Sequence, residues 1–177
     1  IIPGSDIRLK NEIILVGAHY DHVGYGKRSN SYGPLGYIHN GADDNASGTS
    51  ILLEVARQLA ARKTPLKRNV LFLAFSGEEL GLIGSKRYVR DPLIPIKDTV
   101  AMLNLDMVGR LRKQKLTVYG TGTSLVWPEL LRANSAPNKL EISPRRGGYG
   151  PSDHASFYEK GIPVLHFFTG FHPQYHR

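Results

Sequence analysis

Acidic and imidazole side chains recur at the points where apolar segments of this sequence end. The residues that follow three such segments are His19 with Asp21, Glu78 with Glu79, and Asp106. Two neighbouring carboxylates repel each other unless a cation lies between them or one of them takes up a proton. We therefore interpret Glu78 and Glu79 as one metal ligand and one base.

Further residues of this chemistry stand elsewhere in the chain. Asp44 lies at the start of a helical pattern, and Tyr175 and His176 follow the last apolar segment. Imidazoles and carboxylates without thiolates suit zinc best, and manganese or cobalt can occupy the same geometry. One catalytic zinc takes three protein ligands, whereas two ions that share a carboxylate take five and activate a water molecule between them. The pattern predicts a site for two metal ions that share a carboxylate, with five ligands drawn from these residues and with one of Glu78 and Glu79 among them.

Each of these residues also has an explanation that needs no metal. Ser76-x-x-Glu79 matches a capping box for the following helix, and Asp43 with Asp44 suits a helix N-terminus. Asp106 could begin a turn, and a single histidine at the end of a strand is usually an ordinary core or surface residue. These explanations would have to hold independently, whereas the metal hypothesis accounts for all the residues at once.

Three further residues, Asp21, His22 and His39, have more than one explanation. Asp21 lies two positions after His19, so in an extended chain the two side chains point the same way. Its carboxylate is placed to accept a hydrogen bond from the second ring nitrogen of His19, which would orient the imidazole. A turn-forming aspartate is an equal alternative. We interpret His22 and His39 as polar loop residues rather than adventitious ligands.

The elements that must position these residues alternate between apolar strands and helical patterns. Strands are predicted at residues 12–18, 70–75, 100–105, 115–119 and 164–168, and helices at about 49–62, 80–90, 127–134 and directly after Ser152 and Asp153. The alternation predicts an α/β fold with a mostly parallel or mixed sheet. The apolar run 70–75 predicts a strand in the middle of that sheet, and open α/β sheets bind ligands beyond the carboxyl ends of their strands.

Two long segments, 24–41 and 135–150, have no periodic pattern and are predicted to be loops at the rim of a site. The length of 177 residues is that of one domain. The absence of cysteine excludes disulfide frameworks and thiolate chemistry, and no Gly-x-Ser-x-Gly elbow indicates a serine hydrolase.

The net charge is +8, but the basic residues occur in scattered clusters without interleaved aromatic residues. This distribution favours a solvated surface over a nucleic-acid partner. No apolar segment is long enough to span a membrane. The sequence does not indicate an oligomeric state.

Several stretches together resemble the co-catalytic di-zinc aminopeptidases of bacteria. They are GAHYDH at 17–22, NGADDNASG at 40–48, SGEELGLIGS at 76–85, NLDMVG at 104–109, SDH at 152–154 and YH at 175–176. The resemblance runs along almost the whole chain in order. It implies a three-layer α/β/α sandwich of the zinc-exopeptidase type and hydrolysis of the first residue from a peptide with a free N-terminus.

The same resemblance implies two Zn²⁺ ions per chain, with Mn²⁺ or Co²⁺ as substitutes. Asp44 would be the bridging ligand, followed by a cis peptide bond to Asn45. His19 and Asp106 would complete one metal site. Glu79 and His176 would complete the other.

The resemblance also assigns roles in the reaction. Glu78 would be the general base that takes a proton from the zinc-bridged water and passes it to the leaving amine. Tyr175 would donate a hydrogen bond to the developing oxyanion. Ser152 and Asp153 would belong to the wall on the substrate side, although capping of the following helix explains them nearly as well.

Relatives of this kind carry a further N-terminal strand and helix and a helical segment after the Tyr-His pair. We therefore expect residues 1–177 to be one catalytic domain, truncated at both ends, in which His176 is loosely held. The resemblance also implies a secreted or periplasmic protein. The alternatives are a carboxypeptidase or a single-zinc glutaminyl cyclase of the same fold, and a non-catalytic binding module, which the complete ligand set disfavours.

Overall fold

One six-stranded sheet organises the chain in the computed structural model, which describes residues 1–177. The strands are β1 Ile13–His19, β2 Asn69–Phe75, β3 Thr99–Leu105, β4 Lys115–Tyr119, β5 Glu141–Arg145 and β6 Val164–Phe168. Their order across the sheet is β2-β1-β3-β6-β4-β5. Only the pairing of β4 with β6 is antiparallel, so the predicted mixed, mostly parallel sheet is confirmed.

Helices cover both faces of the sheet. They are α1 Gly48–Ala60, α2 Ile83–Arg90, α3 Trp127–Ser135 and α4 His154–Tyr158, with short helical turns at Ala42–Ser47 and Ile96–Asp98. On one face, Leu52 of α1 packs in a cluster with Val16. On the same face, Trp127 of α3 packs in a second cluster with Leu165. Val89 of α2 and Phe157 of α4 pack on the opposite face. The α/β/α sandwich is therefore confirmed.

The apolar strand β2 lies at the edge of the sheet, so its predicted central position was wrong. Its open side is partly covered by the start of the chain, where Ile2 and Val70 exchange two backbone hydrogen bonds of 2.9 Å. An apolar run identifies a strand that must be covered. It does not say whether a neighbouring strand or a short bridging segment provides the cover.

Two local predictions were also wrong. The helix predicted directly after Glu79 begins only at Ile83, so Ser76-x-x-Glu79 is not its capping box. The segment 135–150, predicted to be a loop, contains β5. Pro144 lies within β5, and because β5 is an edge strand it tolerates a residue without a backbone N–H.

Strands β1, β2, β3 and β6 are parallel, so their carboxyl ends meet at one edge of the sheet. His19 is the last residue of β1, Glu78 and Glu79 follow β2, and Asp106 follows β3. The turn Ala42–Ser47, which contains Asp44, precedes α1 at the same edge. The topology therefore brings the sequence-predicted residues together.

Two histidines are buried in the core behind this edge. The rings of His154 and His166 stack with centroids 4.3 Å apart and planes 5° from parallel. Burial lowers the pKa of His154 to about 2, with the charge of His166 acting in the same direction. Burial likewise lowers the pKa of His166 to about 4. Both imidazoles are therefore neutral in the folded protein near pH 7.

We expect this pair to make the protein acid-sensitive. Below pH about 6.5 the unfolded chain protonates both imidazoles, while the folded chain does not until much lower pH. The free energy of unfolding should therefore fall as pH falls from about 6.5, by roughly 1.4 kcal/mol per pH unit for each imidazole. Urea denaturation between pH 7 and pH 5 should show a shallower fall in His154→Gln, by about 1–2 kcal/mol over the range. Parallel curves for the two proteins would contradict this assignment.

Candidate metal centre

The first group of predicted ligands surrounds His19. Its Nε2 atom lies 3.4 Å from Asp44 Oδ1 and 3.3 Å from Asp106 Oδ1. Two ligands that each lie about 2.0–2.1 Å from one tetrahedral zinc ion would be about 3.3 Å apart. His19 Nε2 and Asp106 Oδ1 are buried and have no hydrogen-bond partner in the protein. Buried polar atoms are rarely left unpaired, so this group fits a zinc ion.

The second group surrounds His176. Its Nε2 atom lies 3.0 Å from Asp44 Oδ2 and 3.2 Å from Glu79 Oε2. Asp44 therefore turns one carboxylate oxygen to each group, which is the arrangement of a ligand shared between two ions. All five predicted ligands lie in these two groups.

Asn45 fixes the turn that carries Asp44. The peptide bond between Asp44 and Asn45 is cis, as the resemblance implied. The Asn45 side chain donates to Leu105 O at 2.9 Å and accepts from the N–H groups of Gly48 at 2.9 Å and Met107 at 3.2 Å. A Cβ atom at Gly48 would collide with Asn45 Oδ1 and Leu105 O. These contacts hold the turn against the end of β3, beside Asp106.

A buried pair of Asp43 and His172 ties the C-terminal segment to the same turn. His172 Nε2 lies 3.0 Å from Asp43 Oδ2, and Asp43 Oδ1 accepts a 2.8 Å hydrogen bond from Gly109 N–H. His172 was not among the residues predicted from the sequence, and Asp43 was predicted only to suit a helix N-terminus. A single histidine in a terminal segment carries no signal of its own. The role of His172 becomes clear only from its contact with Asp43.

Loop 24–41 holds His176 in place. The backbone carbonyl of His176 accepts hydrogen bonds from Tyr32 N–H at 3.0 Å and from Ser31 Oγ at 3.1 Å. His39 lies in the same loop, with Nε2 3.1 Å from both Ser31 Oγ and Pro34 O. His39 is therefore a loop residue, as predicted. This loop supports His176 from one side, and the expectation that His176 is loosely held stays a prediction.

Asp21 supports the site in a different way from the one predicted. The second ring nitrogen of His19 lies 3.0 Å from the backbone carbonyl of Asp21, while the Asp21 carboxylate lies 3.8 Å away. That carboxylate instead accepts hydrogen bonds from the backbone N–H groups of Glu78 and Glu79, at 3.2 and 3.3 Å. Asp21 thus orients His19 through its backbone and the paired glutamates through its side chain.

The environment separates the acidities of the two glutamates. Burial raises the pKa of the Glu78 carboxyl to about 9, against the charge of His19, which lowers it, and the negative charges of Asp106, Asp153 and Glu79 add to the rise. Burial also raises the pKa of Glu79, but hydrogen bonds from His176 and His22 reverse the effect and hold it at about 2. Glu79 has the character of an ionised ligand, and Glu78 that of a group able to hold a proton.

Glu78 and Tyr175 line a common cavity of about 100 Å³. The Tyr175 ring stacks on the His176 ring with centroids 3.8 Å apart. Burial raises the pKa of the Tyr175 hydroxyl, and the charge of Asp44 adds to the effect. The hydroxyl therefore remains a neutral hydrogen-bond donor at pH 7.

Ser152 and Asp153 occupy different positions. Ser152 lines the cavity, and its Oγ accepts a 2.8 Å hydrogen bond from Asn104. Asp153 is completely buried at the start of α4 and makes no side-chain capping bond. Of the two, only Ser152 lies in the wall that the sequence analysis predicted.

His22 enters the site, so its interpretation as a polar loop residue was wrong. Its Nδ1 atom lies 2.9 Å from Glu79 Oε1. The four residues His22, Asp44, Glu79 and His176 present their ligand atoms within 4.8 Å of one another. The position of His22 three residues after His19 was the available signal.

The sequence pattern of peptidase family M28 matches residues 2–177. The chain belongs to this family. The matched region of this M28 chain includes all the residues of both predicted ligand groups. None of its helices has the length and apolar composition needed to cross a bilayer.

Individual relatives agree with this membership. The chain is 35% identical to "Aminopeptidase YwaD" of Bacillus subtilis over 165 residues, which are 90% of this chain and 32% of that protein. It is 34% identical to a "Probable leucine aminopeptidase" of Trichophyton verrucosum, over 92% of this chain and 42% of that one. The crystal structure of BSAP, a zinc aminopeptidase from B. subtilis, superposes with a TM-score of 0.76 at 33% identity, over 98% of this chain and 41% of that chain. The M28 chain thus spans less than half the length of these relatives.

We expect zinc to stabilise the folded protein through Asp44. Zinc at about 100 times its dissociation constant should add about 2.7 kcal/mol, which corresponds to a rise in Tm of roughly 5–10 °C for a chain of this size. Asp44→Asn should lose most of this rise, because it weakens a ligand common to both groups. Differential scanning fluorimetry of metal-free protein with and without zinc measures the effect. Asp91→Asn, an exposed carboxylate paired with Arg87, is the matched control and should keep the rise. An equal rise in both variants would place the zinc elsewhere.

Proposed function

We propose that this chain is the catalytic domain of a two-metal aminopeptidase, which removes the first residue from peptides that have a free N-terminus. The observation that carries the proposal is Asp44, whose two carboxylate oxygens face two separate ligand groups beside Glu78. Membership of family M28 and the names of the relatives support the peptide substrate. The basic residues are scattered along the sequence, so we propose no nucleic-acid partner.

The proposed cofactors are two Zn²⁺ ions, with Mn²⁺ or Co²⁺ able to replace them. His19, Asp44 and Asp106 would hold one ion, and Asp44, Glu79 and His176 the other. When bound, the ions would polarise the scissile carbonyl and lower the pKa of the attacking water. Nearby cations also favour the charged form of a carboxyl group, so they would lower the pKa of Glu78 from about 9 towards the working pH.

The chain's own groups would then move the proton and stabilise charge. Glu78 would accept the proton of the attacking water and deliver it to the nitrogen of the leaving amine. Tyr175 would donate its hydroxyl hydrogen to the oxygen of the scissile carbonyl as negative charge develops there. Ser152 would contribute to the wall of the cavity.

We also propose that the protein is secreted or periplasmic. This proposal rests on the family resemblance alone.

We expect Glu78→Gln to lower turnover sharply without removing the metal. General-base catalysis contributes about 10²–10⁴-fold, so hydrolysis of leucyl p-nitroanilide should fall by at least about 100-fold. Zinc content, measured by elemental analysis, should remain that of the wild type, because Glu78 is not a ligand. Glu54→Gln is the matched control, since Glu54 lies on the surface of α1 and pairs with Arg57. It should keep full activity.

A substrate panel separates the alternatives. An aminopeptidase releases the chromophore from leucyl p-nitroanilide only when the amine is free, so N-acetylation of the anilide should block the release. Loss of the last residue from peptides would instead indicate a carboxypeptidase, and closure of N-terminal glutamine would indicate a cyclase. Full zinc occupancy without any turnover would favour a binding module.

A further inference from the structure

Each carboxylate oxygen of Glu79 faces a different imidazole. His176 Nε2 lies 3.2 Å from Oε2, and His22 Nδ1 lies 2.9 Å from Oε1. The side chains of His22 and Glu79 are only 11% and 8% exposed, so water competes little for this contact. His176 belongs to the predicted ligand set. His22 does not.

The contact assigns the proton of His22. An ionised carboxylate can only accept hydrogen bonds, so the Nδ1 atom of His22 must carry the hydrogen. A ring nitrogen that carries a hydrogen has no lone pair free for a metal ion. Asp44 contributes its Oδ2 atom to the group around His176. This atom lies 3.9 Å from His22 Nδ1, which is beyond hydrogen-bond distance. In addition, Asp44, Glu79 and His176 already provide the three protein ligands of a catalytic site that keeps an open position.

The chain makes room for this ring. Gly41 has φ of 63°, in the left-handed region that favours glycine. A Cβ atom at Gly41 would lie 2.7 Å from His22 Cγ. The His22 ring also meets the His176 ring edge to face, with centroids 5.4 Å apart. Packing therefore holds the ring in the orientation that directs Nδ1 at Glu79.

We propose that His22 is a positioning residue for the Glu79 and His176 metal site. Its Nδ1–H group holds Oε1 of Glu79, so that Oε2 faces the position shared with His176 and Asp44. Hydrogen-bond donors to a ligating carboxylate orient it, and their loss typically costs about 10–100-fold in metal affinity. This inference rests on the proposed two-metal function.

Two substitutions separate positioning from ligation. His22→Ala removes the hydrogen bond. His22→Asn keeps a donor, because its Nδ2 atom takes about the place of Nδ1, but it removes the imidazole. Zinc binding to metal-free protein is measured by isothermal titration calorimetry, and cobalt is used in parallel for its absorption spectrum. Tyr20→Ala, an exposed residue between His19 and His22, is the control and should bind as the wild type does.

We expect the wild type to bind two zinc ions. His22→Ala should weaken one of them by about 10–100-fold, and His22→Asn should restore its affinity to within about threefold of the wild type. The cobalt spectrum of His22→Asn should match that of the wild type, because no ligand is lost.

Two results would overturn the positioning role alone, given a wild type that binds two ions. The first is unchanged affinity in His22→Ala. The second is equal weakening in both variants with an altered cobalt spectrum, which would make His22 a ligand. Fewer than two ions in the wild type would overturn the proposed function, and this inference with it.

Discussion

The mutual repulsion of four carboxyl groups is the constraint on which the rest of this structure depends. Asp44, Glu78, Glu79 and Asp106 stand at one edge of the sheet, where Asp44 and Asp106 are buried and the two glutamates are partly buried. Charges so placed are costly unless they are paired or bound to cations. Burial lowers the pKa of His19 and His176, but the close contacts and negative charges of these carboxylates outweigh it and raise both values to about 10, so both imidazoles are protonated when no metal is bound. His19 Nε2 and Asp106 Oδ1 have no hydrogen-bond partner, which fits a divalent cation bound between them that would compensate the negative charge.

Much of the surrounding structure serves to hold these groups against one another. Asn45 joins the turn of Asp44 to the end of β3, and Asp43 with His172 joins it to the C-terminal segment. Asp21 accepts from the backbone of both glutamates, and loop 24–41 binds the carbonyl of His176. None of these contacts reaches a reacting atom. Each one limits how far a ligand can move away from its neighbours.

The two adjacent glutamates illustrate how position divides function. They share one turn and one supporting carboxylate, yet their pKa values are displaced in opposite directions. Glu79 has an imidazole at each oxygen, which stabilises its ionised form. Glu78 faces carboxylates and a small cavity, which stabilise its protonated form. This division matches the division between a ligand and a proton carrier.

The sequence by itself determined the α/β class and most strands, because apolar runs and the residues at their ends are local signals, and its resemblance to a known family supplied the five predicted ligands. It missed β5, since Pro144 disguises an edge strand, and it misplaced β2, since an apolar run does not reveal its neighbours. Only the tertiary structure decided which oxygen of Asp44 faces which imidazole, that His172 pairs with Asp43, and that His22 reaches Glu79. Those contacts join residues far apart in the chain, and no local pattern specifies which distant side chain will arrive beside a given atom.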